Sequence, residues 1–103
     1  RNVLAAGGSG RLESSGGTAA AVTTPEGATG IDIAIRDAAG ARVRQFSVTP
    51  QGGMTSFNWD GLDSRGGRAP AGTYRLEAAA SVGGRSESLQ MLLQRRVDSV
   101  TID

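Results

Sequence analysis

The chain has 103 residues, 38% hydrophobic and 20% charged, with a formal net charge of +1, which fits one small domain or a compact pair of subdomains sharing a core. Only 4% of the residues are aromatic and 16 are Gly, so burial must come from Val, Ile, Leu and Ala, and the core is thin. Cys and His are both absent, which excludes cysteine nucleophiles, Ser-His-Asp chemistry and His/Cys metal centres.

Residues 6–30, "AGGSGRLESSGGTAAAVTTPEGATG", read as a loose linker in which only Ala20 to Thr24 is compatible with a strand. The preceding "NVLAA" could pair as a short strand, making the Gly/Ser stretch a long hairpin loop or a crossing between subdomains. "GGSG" at 7–10 lacks the Lys-Ser/Thr and the strand-to-helix context of a phosphate-binding loop, so a flexible loop is expected there. From Ile31 the pattern sharpens. "IDIAIRD" alternates Ile31, Ile33 and Ile35 with Asp32, Ala34 and Arg36, the period of a strand with one buried face.

"DAAG" (37–40) places Asp and Gly as a type I turn requires, and "ARVRQFSV" follows as a second strand, making a hairpin. Its apolar residues change phase between Val43 and Phe46, which predicts a β-bulge. "QGG" (51–53) turns the chain into "MTSFNW", with Thr55, Phe57 and Trp59 on one face. After a loop from Asp60 to Ala71, "TYRLEAAA" aligns Tyr74, Leu76, Ala78 and Ala80, leaving Arg75 and Glu77 outside. "VGGR" turns again, "SLQMLL" presents Leu89, Met91 and Leu93, and "RVDSVTI" is expected as a last strand. No segment holds a helical period with a cap, so the fold class is all-β, a sandwich.

The loop in "NWDGLDSRGGRAPAGTYRLEA" (58–78) holds the chemistry worth testing. Asp60 and Asp63 could form a catalytic carboxylate pair, but such pairs sit in a pocket that separates their pKa values, and no other acids gather nearby. Read as a calcium loop from Asp60, the third position is Leu62 and the twelfth is Ala71, which breaks the EF-hand pattern, while an irregular cation site stays open. Turn chemistry accounts for more of the residues. Asp60-Gly61 and Arg65-Gly66-Gly67 suit positive φ and side-chain-to-backbone bonds, Pro70 stiffens the return, and Gly72 permits a bend. Trp59 and Tyr74 then close the two ends, and adjacent antiparallel strands would bring their rings together in the core. The basic residues are scattered, with Arg95-Arg96 the densest pair, which does not make a nucleic-acid surface. No run is apolar enough to span a bilayer and no charged-then-apolar leader opens the chain; a first residue of Arg1 leads us to expect a fragment whose targeting information lies elsewhere.

"IDIAIRDAAGARVRQF", then "GGMTSFNWDGLDSRGGRAPAGTYRLEAAASVGG", then "RRVDSVTI" resemble the core of the flagellar hook-capping family FlgD, also called basal-body rod modification proteins. Trp59, Asp60, Gly61, Asp63, Gly66, Pro70, Gly72 and Tyr74 carry the specific W-D-G-x-D-x-x-G-x-x-x-P-x-G-x-Y pattern, and Val97-Asp98-Ser99-Val100 match its closing V-x-S-V. The resemblance covers residues 28–103 and extends weakly before them. It implies an immunoglobulin- or fibronectin III-like sandwich (19–92) inserted into a partial Tudor-like β-barrel (1–18 and 93–103). It further implies a non-enzymatic, homo-oligomeric cap, exported through the flagellar apparatus, that guides hook protein subunits at the hook tip. No cofactor or metal is implied. Related Ig-like modules share the W-D-G segment, so the competing expectation is a binding or sorting module of a secreted or surface protein.

Overall fold

Alternating apolar and polar residues shape the central strands, and the computed structural model, which describes residues 7–93, gathers the strands into two antiparallel sheets. In chain order they are β1 (Gly7–Leu12), β2 (Thr18–Thr23), β3 (Ala28–Arg36), β4 (Arg42–Val48), β5 (Met54–Trp59), β6 (Gly72–Val82), β7 (Arg85–Leu89) and β8 (Met91–Leu93). The longest strand, β6, organises the larger sheet. Along one side it pairs with β3, which pairs in turn with β4; along the other side β1 covers residues 72–77 and β7 covers residues 78–82, end to end. The smaller sheet has the order β5-β2-β8.

The core lies between the sheets. Ile31, Ile33 and Ile35 of β3 and Leu76, Ala78 and Ala80 of β6 face Ala20 and Val22 of β2 and Phe57 and Trp59 of β5, with Leu12, Leu89 and Met91 filling the remainder. Thr55 is the one fully buried polar side chain among the described residues, and its hydroxyl is bonded to Thr24 Oγ1 (2.7 Å) and accepts the Gln51 N–H (2.8 Å). That pairing removes the desolvation penalty of a lone buried hydroxyl.

Several expectations are met and others need correcting. Thr55, Phe57 and Trp59 are buried together, as are Tyr74, Leu76, Ala78 and Ala80. The bulge is real and centres on Val43: Ile35 pairs with Arg44 and Arg36 with Arg42, leaving Val43 without an opposite residue. Asp37 forms the expected turn, accepting the N–H of Gly40 at its carbonyl and those of Ala39 and Ala41 at Oδ1.

The Gly/Ser stretch is not a linker. Residues 7–12 form β1, where pairing with β6 overrides the weak strand propensity of Gly and Ser. "SLQMLL" is not one strand either. Leu89 pairs with Ala78 in the larger sheet and Met91 with Val22 in the smaller, so the chain changes sheets at Gln90. Both sheets bury their residues toward one core, so the alternation runs on through the crossing. The boundary drawn at Thr18/Ala19 cuts through β2, and Leu93 pairs with Ala20, so residues 7–18 and 93 contribute to the sandwich. The expected strands at "NVLAA" and "RVDSVTI", and Val97 to Val100, lie outside the described residues.

Candidate functional site

The loop between β5 and β6 folds by its own side-chain-to-backbone bonds. Asp60 Oδ1 accepts the Leu62 N–H at 3.0 Å, which bends the chain back at once. Gly61 takes a φ of +84°, a conformation that favours glycine. The turn at Asp63 repeats the device: its Oδ1 accepts the N–H groups of Arg65 (2.9 Å) and Gly67 (3.0 Å), while its carbonyl accepts Gly66 N–H (3.0 Å). Gly66, at φ +88°, closes it. Asp63 N–H to Gly67 O and Ala69 N–H to Gly61 O (both 2.8 Å), with Leu62 bridged to Arg68, complete a miniature hairpin.

Neighbouring elements then fasten this hairpin to the sandwich. Arg44 of β4 donates through Nη1 to Asp60 Oδ1 (3.0 Å) and to the Leu62 carbonyl (2.8 Å), which also accepts the indole N–H of Trp59 (3.0 Å). The bulge residue Val43 accepts the Ser64 N–H at 2.9 Å. Arg68 donates to the carbonyls of Asp60 (3.1 Å) and Glu13 (2.9 Å), tying the loop to the connection between β1 and β2. Beyond Pro70, whose carbonyl accepts the Tyr74 hydroxyl, Gly72 opens β6. This bond back to a carbonyl four residues upstream follows the tyrosine-corner pattern of immunoglobulin-like sandwiches.

Trp59 and Tyr74 are buried with ring centroids 5.0 Å apart at 69°, an edge-to-face pair. Their closeness has a different origin from the one expected. β5 and β6 belong to different sheets, so the two rings meet across the sandwich rather than between adjacent strands. A long loop makes sense here, since the chain must cross from one sheet to the other.

The electrostatics match the hydrogen bonding. The Leu62 N–H holds the Asp60 carboxyl below its usual range; burial opposes this, and the charge and hydrogen bond of Arg44 add to the lowering. Burial pushes the Tyr74 phenol up, with a further push from the negative charge of Asp37. Asp60 and Asp63 each spend Oδ1 on a separate turn. Among the described residues, no group of three or more His, Cys, Asp or Glu side chains gathers around a common centre.

Sequence reasoning missed Arg44, Arg68 and Gly17. A Cβ at Gly17 would lie 2.0 Å from the Trp59 carbonyl oxygen, so only glycine lets the β1–β2 connection pass there. The phase change at Val43 was a pointer to Arg44, since a bulge re-aims its neighbours. Arg68 and Gly17 carry no local signal.

Comparison with known proteins adds to this geometry. Residues 9–84 match the FlgD Ig-like domain. The chain belongs to the FlgD Ig-like domain family. It is 33% identical to FlgD of Xanthomonas campestris, covering 96% of this chain and 71% of that one with a TM-score of 0.83. FlgD of Pseudomonas aeruginosa is likewise 33% identical, over 90% of this chain and 71% of that one, at a TM-score of 0.79. A truncated Helicobacter pylori FlgD shares the fold at 21% identity and a TM-score of 0.67, covering 92% of this chain and 71% of that one. No curated protein matches the chain. The Trp59-to-Tyr74 segment, with its two Asp turns and its corner tyrosine, falls wholly inside the FlgD Ig-like match.

Proposed function

We propose that this chain is the core of a non-enzymatic scaffold that caps the growing bacterial flagellar hook and guides the addition of hook subunits at its tip. One observation carries the reading: the likeness to the Xanthomonas campestris FlgD, whose structure is described as giving insights into the hook capping essential for flagellar assembly, extends over 96% of this chain. The geometry supports a structural role for the motif. Its carboxylates, glycines and arginines are engaged in shaping one loop, and its aromatic pair seals the core.

In this reading the protein works as a homo-oligomer, leaves the cell through the flagellar export apparatus, and contacts hook protein subunits. Its flanks contribute to a Tudor-like subdomain beside the sandwich. A cap must bind subunits and release them, which calls for a rigid body presenting exposed loops and strand faces.

Deleting the gene tests the proposal. Hook assembly is expected to fail in the deletion strain and to return when the full-length gene is supplied. Normal hooks in the deletion strain would overturn the reading.

A further inference from the structure

We propose that the outer face of the larger sheet docks an acidic, extended segment of a partner protein across a row formed by Arg75, Arg36 and Arg42. The register puts these three side by side: Arg75 of β6 is opposite Arg36 of β3, and Arg36 is opposite Arg42 of β4. All three belong to the outward-facing phase of their strands, with Ser9 of β1 continuing the row beyond Arg75. Strands spaced about 4.8 Å apart bring the three guanidinium stems within about 10 Å of each other.

This row is not what a stable sheet calls for. Like charges directly opposite one another weaken a strand pair. Within ion-pair distance the row has one carboxylate: Glu77 accepts Arg36 Nε at 3.1 Å and lies 3.3 Å from Arg75 Nε. Arg36 Nη1 also donates to the Gly40 carbonyl. The Arg42 side chain is exposed and makes no hydrogen bond or ion pair with the other described residues. Arg75 approaches Glu77 through Nε, and its side chain is 64% exposed, with no hydrogen bond from its terminal nitrogens to the other described residues. The free donors therefore form a short line of forks suited to carboxylates.

The surroundings favour a peptide over a nucleic acid. A shallow depression of about 260 Å³ adjoins the row, with Ser9, Thr73 and the Asp37 turn along its rim, which gives an extended chain polar partners for its backbone. The four aromatic residues, Phe46, Phe57, Trp59 and Tyr74, are packed in or against the core, so none forms a stacking platform on this face. Asp32, Asp37 and Glu77 interrupt the positive charge, which suits spaced carboxylates and repels a continuous phosphate backbone.

The test titrates the full chain with a fluorescent hexaglutamate peptide at low salt, following anisotropy and backbone amide shifts. Binding is expected with shifts centred on residues 36, 42 and 75, and should fade as salt is raised. The double variant Arg42→Thr/Arg75→Thr should lose at least fivefold in affinity with little change in Tm, because the Arg42 side chain has no partner and Arg36 keeps its bonds to Glu77 and Gly40. Arg65→Thr, on the exposed 60–71 loop, should bind as the unaltered chain does. No binding, equal weakening by Arg65→Thr, or tighter binding of a hexathymidylate strand than of the peptide would each overturn the proposal.

Discussion

Two glycine-rich stretches, residues 7–17 and the loop 60–71, look alike in composition, yet the first uses most of its glycines to make room and the second uses Gly61 and Gly66 to turn the chain. In the loop, Gly61 and Gly66 have φ of +84° and +88°, so the glycines serve the backbone's own conformation. Space is open around Gly66, where a Cβ would meet nothing within 4 Å. In the N-terminal stretch Gly16, at φ +83° in open space, also serves a turn, but for Gly8, Gly10 and Gly17 the need comes from neighbours. Gly8 lies under Leu93, Gly10 under Thr18 and Leu93, and Gly17 against the Trp59 carbonyl. One stretch is shaped from within, by Asp60 and Asp63, and the other by what packs on it. Composition cannot separate a glycine that turns from a glycine that makes room.

The largest effect expected is at the residue both stretches touch. Trp59→Ala should cost about 3–5 kcal/mol by removing a buried aromatic, and denaturant unfolding would show it. Retention of the Tm would mean that Trp59 does not anchor the core. Gly17→Ala should follow at about 3 kcal/mol, since its methyl meets a backbone oxygen that cannot rotate away. An unchanged Tm in that variant would remove the close-approach half of the contrast.

Asp63→Ala, which loses two bonds to loop N–H groups, should cost about 1–2 kcal/mol. Gly66→Ala should cost about 1 kcal/mol through left-handed strain. A sharper form of the comparison uses asparagine, which tolerates positive φ. Gly66→Asn should unfold later than Gly66→Ala, whereas Gly17→Asn should unfold no later than Gly17→Ala, because added bulk there only worsens the collision.

The smallest effect is a pH dependence in the loop. The Asp60 carboxyl is held below its ordinary 3.8 in the folded chain. Its contribution to stability is therefore complete above that value and disappears as pH falls through the lower, folded one. Asp60→Asn should flatten this part of the acid limb of a stability-against-pH curve. An unaltered limb would show that other carboxylates account for it.

Much of the loop was legible because its causes are local. Asp60-Gly61 and Asp63 with Gly66 announce turns whose hydrogen bonds span two to four residues, and the structure contains those bonds. Tyr74 was readable as a core residue by its place in the alternation. Arg44 and Arg68 were not readable as clamps, since the carbonyls they bind belong to distant segments: Arg68 reaches Glu13 across 55 positions of chain.

By itself, then, the sequence determined the strands from β3 to β6, the faces they bury, the bulge at Val43 and the turns that the Asp and Gly residues impose, because each depends on residues a few positions apart. Only the tertiary structure decided that "GGSGRL" is a strand, that the chain changes sheets at Gln90, and that Trp59 and Tyr74 meet from opposite sheets. It alone also aligned Arg75, Arg36 and Arg42. The physical reason is common to all four. Alternation specifies which side of a strand is buried, and both sheets bury toward one core, so the pattern holds no information about which strand lies alongside which.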